Sequence, residues 1–170
     1  MKETNPGTGF AFHWSYIGLP VAILLLTLIL TAFFYPRLPA EVAYRFQPDG
    51  SPDNWLGRDT IVLWTLLPQF LLTLVAGGTA GGITILTARF IQPESTWTNP
   101  GRITSLMGNM VALPQSILLF AMLDIFSYNS YRIHLLPLWV FALIVLVVGG
   151  IILGIFFFQA VRQFWITSKE

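Results

Sequence analysis

The run Val21-Ala22-Ile23-Leu24-Leu25-Leu26-Thr27-Leu28-Ile29-Leu30 decides the fold class. It is apolar on every side of a helix, whereas a helix at the surface of a soluble core keeps one polar face. It lies inside Trp14–Pro36, a stretch free of Asp, Glu, Lys and Arg. A helix rises about 1.5 Å per residue, so about 20 such residues cross the hydrocarbon of a bilayer. Working outward, three more charge-free stretches follow: Thr60–Ala88, Ile103–Leu123 and Ile133–Val161. The expected fold is an all-α integral membrane protein, a four-transmembrane-helix bundle with a short extended segment in its first extramembrane loop. The spans fall at about 14–35, 60–88, 103–126 and 134–161. The patterned loop is 36–59, and polar tails at 1–13 and 167–170 flank a membrane domain at 14–166.

Composition agrees. Charged residues are 10% of the chain and apolar residues 55%. A net charge of +1 with no run of Lys or Arg offers nothing to neutralise phosphates, which argues against a nucleic-acid partner. The absence of cysteine removes disulfides and thiolate chemistry. The first span is expected to be retained rather than cleaved as a signal. Its apolar run exceeds the roughly 7–15 residues of a signal core, and bulky Phe33-Phe34-Tyr35-Pro36 stands where small cleavage-site residues would be needed.

Aromatic residues suited to the headgroup level frame the spans: Trp14 and Tyr16, then Phe33 to Tyr35, and at the far end Phe156 to Phe158, Phe164 and Trp165. Two faces are small. Gly77 and Gly81, like Gly78 and Gly82, are four residues apart on the second span, and Gly149, Gly150 and Gly154 mark the fourth. Small residues at this spacing let helix backbones approach, either within the chain or against itself or another membrane subunit. Four spans put both termini on one side with Lys2, Arg89, Arg102, Arg162 and Lys169. Arg37, Arg45, Arg58 and Arg132 fall on the other. The positive-inside rule then leans to cytoplasmic termini in a cell inner (plasma) membrane.

The loop carries the pattern. Val42, Tyr44 and Phe46 alternate with Ala43 and Arg45, and Pro48-Asp49-Gly50 supplies a fixed φ, an Asx group and a residue free to take positive φ. Leu38-Pro39, Val42, Tyr44, then Asp49-Gly50-Ser51-Pro52-Asp53-Asn54-Trp55 and the basic Arg58 resemble a family of small bacterial and archaeal membrane proteins of unknown function. Its domain also stands at the N-terminus of Sdp-type toxin-immunity proteins. The resemblance covers Pro36 to about Leu67 and implies the fold of the loop and its two spans. Where the family usually has Pro and His, this chain has Ala43 and Arg45; an arginine stays charged and cannot serve the proton or metal chemistry of a histidine.

The remaining chemistry is sparse. His13 and His134 are assigned to opposite membrane faces and cannot share a metal. Asp49, Asp53 and Asp124 could together offer oxygen ligands to a divalent cation. The reading preferred here is that Asp49 organises the turn and Asp53 pairs with Arg45 or Arg58. No ionisable group lies near the centre of a span, where transport would need one, and Gln69, Thr73, Asn109 and Gln115 are expected to bond between helices. The expected function is therefore non-catalytic binding with neither cofactor nor metal. The membrane lipid is one partner, and the chain acts as an accessory subunit or partner-binding protein through Leu38, Pro39, Tyr44, Arg45, Phe46, Asp49, Gly50, Asp53 and Trp55. The alternatives are a toxin-immunity or peptide-sensing protein that meets an extracellular peptide, and a small transporter-like protein.

Overall fold

A computed structural model describes residues 13–47, 50–90 and 100–167. The polar tails lie mostly outside the described residues, as does Asp49. A 3-10 turn at Trp14–Tyr16 leads into α1 (Gly18–Phe34). Strands β1 (Glu41–Phe46) and β2 (Pro52–Gly57) follow, then α2 (Arg58–Phe90), α3 (Pro100–Met110), α4 (Ala112–Tyr131) and α5 (Leu138–Thr167). Three segments are long and apolar enough to cross a membrane: Gly18–Arg37, Arg58–Leu86 and Thr104–Tyr131. The apolar stretch Leu138–Ile152 is shorter. The chain is thus mostly helical, with the character of a multi-pass membrane protein and one two-stranded hairpin.

Two sequence expectations change in form. The extended segment is one half of an antiparallel pair, with Val42 opposite Leu56 and Ala43 opposite Trp55, and irregular register on either side of Arg45. Pro52, Asn54 and Gly57 are poor strand formers, so β2 exists because β1 offers it an edge. The third apolar stretch is two helices joined at Val111. Pro114, which has no N–H to donate, follows in the next turn. Helix α4 then continues past Asp124 to Tyr131, and Arg132, in the left-handed conformation at φ 61°, caps it.

The packing has two apolar centres. At one end, Tyr16 and Ile17 cover Ala76 and Ala80 of α2, with Val21 and Val111 beside them. At the hairpin end, Phe34, Leu38, Val42, Ile61, Met122 and Phe126 form a buried cluster that ties α1, the loop, α2 and α4 together. Helix α5 packs antiparallel on α4: Phe141 stacks on Phe120 at 4.0 Å between ring centres, and Gly149 faces Leu113. Much of the remaining surface is exposed Leu, Ile, Val and Trp, as lipid contact requires.

Between these centres α2 and α4 are clasped by amides. Each helix carries Leu-Pro-Gln, at Leu67-Pro68-Gln69 and Leu113-Pro114-Gln115, and both glutamines are fully buried. Gln69 Nε2 donates to the Gln115 carbonyl at 3.0 Å. Gln115 Nε2 donates to the Gln69 carbonyl at 3.3 Å and to Thr73 Oγ1 at 2.9 Å. Neither Oε1 meets a donor among the described residues. A buried orphan acceptor costs about 1–3 kcal/mol, while an interhelical bond in a membrane protein contributes about 1 kcal/mol. Gln115→Leu loses two donated bonds but also removes its own orphan oxygen, so it should cost about 1 kcal/mol or less. The double variant Gln69→Leu/Gln115→Leu should cost close to the two single changes summed, because each glutamine donates to its partner's backbone carbonyl, which the partner's substitution leaves in place, and each orphan oxygen leaves with its own side chain. Thermal denaturation of the four proteins in one detergent measures the coupling.

Candidate functional site

The hairpin is fixed at its base by groups far apart in sequence. Leu38 and Val42 turn into the apolar cluster, and the Arg58 amide donates to the Ala40 carbonyl at 2.9 Å, closing the loop where α2 begins. Across the front, the Asn129 side chain meets Ala43 as another strand would: the Ala43 amide donates to Asn129 Oδ1 and Asn129 Nδ2 donates to the Ala43 carbonyl, both at 2.8 Å. A third bond, Asn129 Nδ2 to the Ile125 carbonyl at 2.8 Å, holds the amide against its own helix. A proline at position 43 could not make the first of these bonds. At the root of the loop, Tyr35 Oη donates to Asp59 Oδ1 at 2.7 Å and the Arg58 guanidinium lies 4.4 Å from the centre of the Tyr35 ring.

On this base the loop residues separate into two sets. Arg45 and Asp53 face outward as an ion pair with a closest approach of 3.6 Å, and the Arg45 side chain is 70% exposed. Trp55 is 52% exposed. Such a pair contributes little to stability, roughly 0–1 kcal/mol, so its charges remain available to a partner. Of the two partners expected for Asp53, Arg45 is the one taken; Arg58 approaches Asp59 instead, at 3.8 Å. Pro39 is exposed beside buried Leu38.

The second set faces inward. Tyr44, Phe46 and Gly50 line an open cleft of about 900 Å³ between the hairpin, the last turns of α4 and the 132–139 connection, and Arg45 stands at its edge. The Phe46 ring sits edge-on to Tyr128 and His134, each at 4.7 Å, and His134 stacks on Tyr128 at 4.5 Å. Gly50 takes φ +83° in the turn, with the His134 ring close to the position a Cβ would occupy. Below this aromatic group Asp124 accepts from the Leu135 amide at 2.9 Å and lies 3.3 Å from His134 Nδ1. Asp124 is thus partnered with an imidazole 10 residues further along the chain. Among the described residues no group of three His, Cys, Asp or Glu side chains is placed to hold a metal ion.

The helix-face glycines behave differently from one another. Gly149 meets the Leu113 side chain, whereas a Cβ at Gly77, Gly78, Gly81, Gly82, Gly150 or Gly154 would meet nothing within 4 Å among the described residues. The close backbone approach is made by Gly108, against the Tyr16 carbonyl. Asn109 reinforces that contact: its Oδ1 accepts from the Leu19 amide at 3.0 Å and its Nδ2 donates to the Ser15 carbonyl at 2.9 Å.

Asn129, Tyr128, His134 and Asp124 complete the site, and none belongs to the loop whose pattern stands out in the sequence. The signal available for them was chemical rather than periodic: a carboxylate at the end of an apolar span and a histidine just beyond it. Residues 22–68, which hold most of α1, the whole hairpin and the start of α2, match the model of a domain of unknown function (DUF1648). No curated protein and no solved structure matches the chain.

Proposed function

We propose that this chain is a non-catalytic protein of a cell inner (plasma) membrane that acts by binding, as an accessory or partner-binding subunit, with the β1–β2 hairpin as its recognition element. Four crossings are part of the proposal. Helix α5 has 30 residues, about 45 Å at the helical rise, which is ample for a bilayer. With four crossings the termini share one face, and the slight excess of basic residues there makes it the cytoplasmic one, leaving the hairpin outside.

One observation carries the reading: an exposed aromatic and charged surface, Arg45, Asp53 and Trp55, stands on a hairpin whose base is locked by Asn129 and by buried Leu38 and Val42. A surface held in one conformation loses little entropy on docking, and tryptophan and arginine are the side chains that most often dominate binding energy. The open glycine face of α2 gives a neighbouring helix room to approach in the same assembly.

Native mass spectrometry of the chain, extracted from its own membrane in mild detergent, tests this. The expected result is a fixed set of other subunits that is diminished in Trp55→Ala while the variant's thermal stability stays within about 0.5 kcal/mol of the parent, as for surface changes generally. A monomer or homo-oligomer alone would overturn the accessory reading and leave peptide sensing or immunity, the role suggested by the family resemblance, as the function to pursue.

A further inference from the structure

The inward cleft joins Arg45 of the outward hairpin face to a second acid and an apolar wall. Its edge carries Arg45, whose guanidinium has five N–H donors and, among the described residues, one long contact, to Asp53. Its floor carries Asp124, whose side chain is 19% exposed. One carboxylate oxygen of Asp124 takes the Leu135 amide and the other faces His134 Nδ1 at 3.3 Å, which leaves acceptor capacity on both. The remaining wall, Leu135, Leu136, Leu138 and Trp139, is apolar and about half or more exposed. A cation, an anion and an alkyl surface therefore border one opening of about 900 Å³, near the upper end of the roughly 300–1,000 Å³ usual for small-molecule sites.

The cleft also lies where α4 ends and α5 begins, with Trp139 71% exposed at the first turn of α5, as an interfacial indole would be. A molecule entering from that side comes from the lipid leaflet at the hairpin end. We propose that the cleft seats a zwitterionic aminophospholipid of that leaflet. The phosphate lies against Arg45, the primary ammonium donates to the Asp124 carboxylate, and the acyl chains run along Leu135 to Trp139. Charge complementarity selects the class. A phosphatidylglycerol headgroup brings no cation to Asp124, and a choline headgroup brings a quaternary nitrogen with no N–H to donate. Phe46 and His134 line the inner side of the cleft, with Tyr128 stacked against His134. The site shares Arg45 with the surface proposed for the hairpin's partner, but its test does not rest on that partner, since a purified chain can take up lipid with no other subunit present.

The test is lipid retention by the purified full chain in nanodiscs holding phosphatidylethanolamine, phosphatidylcholine and phosphatidylglycerol in equal parts, released stepwise and read by native mass spectrometry. Phosphatidylethanolamine should be retained at least fivefold over the other two, and Arg45→Gln and Asp124→Asn should each reduce that preference to about twofold or less. Asn at 124 can still accept from the Leu135 amide, and Arg45 lies at the surface, so unchanged thermal melting of both variants keeps the comparison free of misfolding. Equal retention of the three lipids, a preference untouched by both substitutions, or a peptide rather than a lipid carried through purification would each overturn the proposal.

Discussion

Asn129→Ala should release the hairpin from the helical bundle while leaving the helices in place. The substitution removes both bonds to Ala43, whose backbone amide and carbonyl then have no side chain to pair with in a position that is 1% exposed. Each orphaned group costs about 1–3 kcal/mol, so the local loss is about 2–6 kcal/mol. A loss of about 3 kcal/mol corresponds to a hundredfold or greater rise in the hydrogen-exchange rate of the Ala43 amide, since about 1.4 kcal/mol is tenfold. Amides in the centre of α1 and α4 should exchange as in the parent. Asn129→Asp keeps an acceptor for the Ala43 amide but sets a carboxylate oxygen against the Ala43 and Ile125 carbonyls, so it should not restore the protection lost in alanine. Unchanged protection of residues 41–46 in Asn129→Ala would mean that Leu38, Val42 and the Arg58 closure hold the hairpin without it.

The second large effect belongs to a glycine. At Gly108 an added Cβ would overlap the Tyr16 carbonyl, a backbone atom in a turn that is itself packed on Ala76 and Ala80. Gly108→Ala therefore forces α3 away from the Trp14–Tyr16 turn, stretches the Asn109 bonds to Ser15 and Leu19, and should cost about 2–3 kcal/mol in thermal stability. Gly149→Ala meets the tip of Leu113, a flexible side chain able to change rotamer, and should cost about 1 kcal/mol or less. Gly77→Ala and Gly81→Ala meet nothing within 4 Å among the described residues and should leave the isolated protein unchanged, or slightly stabilise it through higher helix propensity. If the last two instead disrupt the assembly isolated from native membrane, the open face of α2 is where another helix sits. One melting series in a single detergent ranks all four.

The same contrast shows what was legible in the sequence. The absence of charge over long runs fixed the membrane class, because a bilayer penalises charge wherever it falls and leaves a trace that needs no knowledge of neighbours. The loop was legible for a similarly local reason. Alternation in Val42 to Phe46 marks a strand, and Gly50 supplies the positive φ that its turn uses.

Contacts were not legible, because a residue's partner leaves no mark at its own position. Gly77 and Gly81 have the spacing of a packing motif, yet Ala76 and Ala80, each one residue earlier, take the buried face. One residue is about 100° around a helix, so the rotation that Tyr16 and Ile17 impose on α2 decides which of two equally spaced small pairs is used. Asn129 and Ala43 are 86 residues apart, and an asparagine near the end of an apolar helix announces a cap before it announces a strand mimic. Asp124 and His134 stood in the sequence as the end of one span and the start of the next. Their approach beneath Phe46 and Tyr128 required α4 to run on to Tyr131 and Arg132 to reverse the chain. The sequence by itself determined that this chain belongs in a membrane and carries a patterned loop. Tertiary structure decided which residues brace that loop and that a two-charged cleft opens behind it, because those depend on helix rotation and register, which only the packed neighbours set.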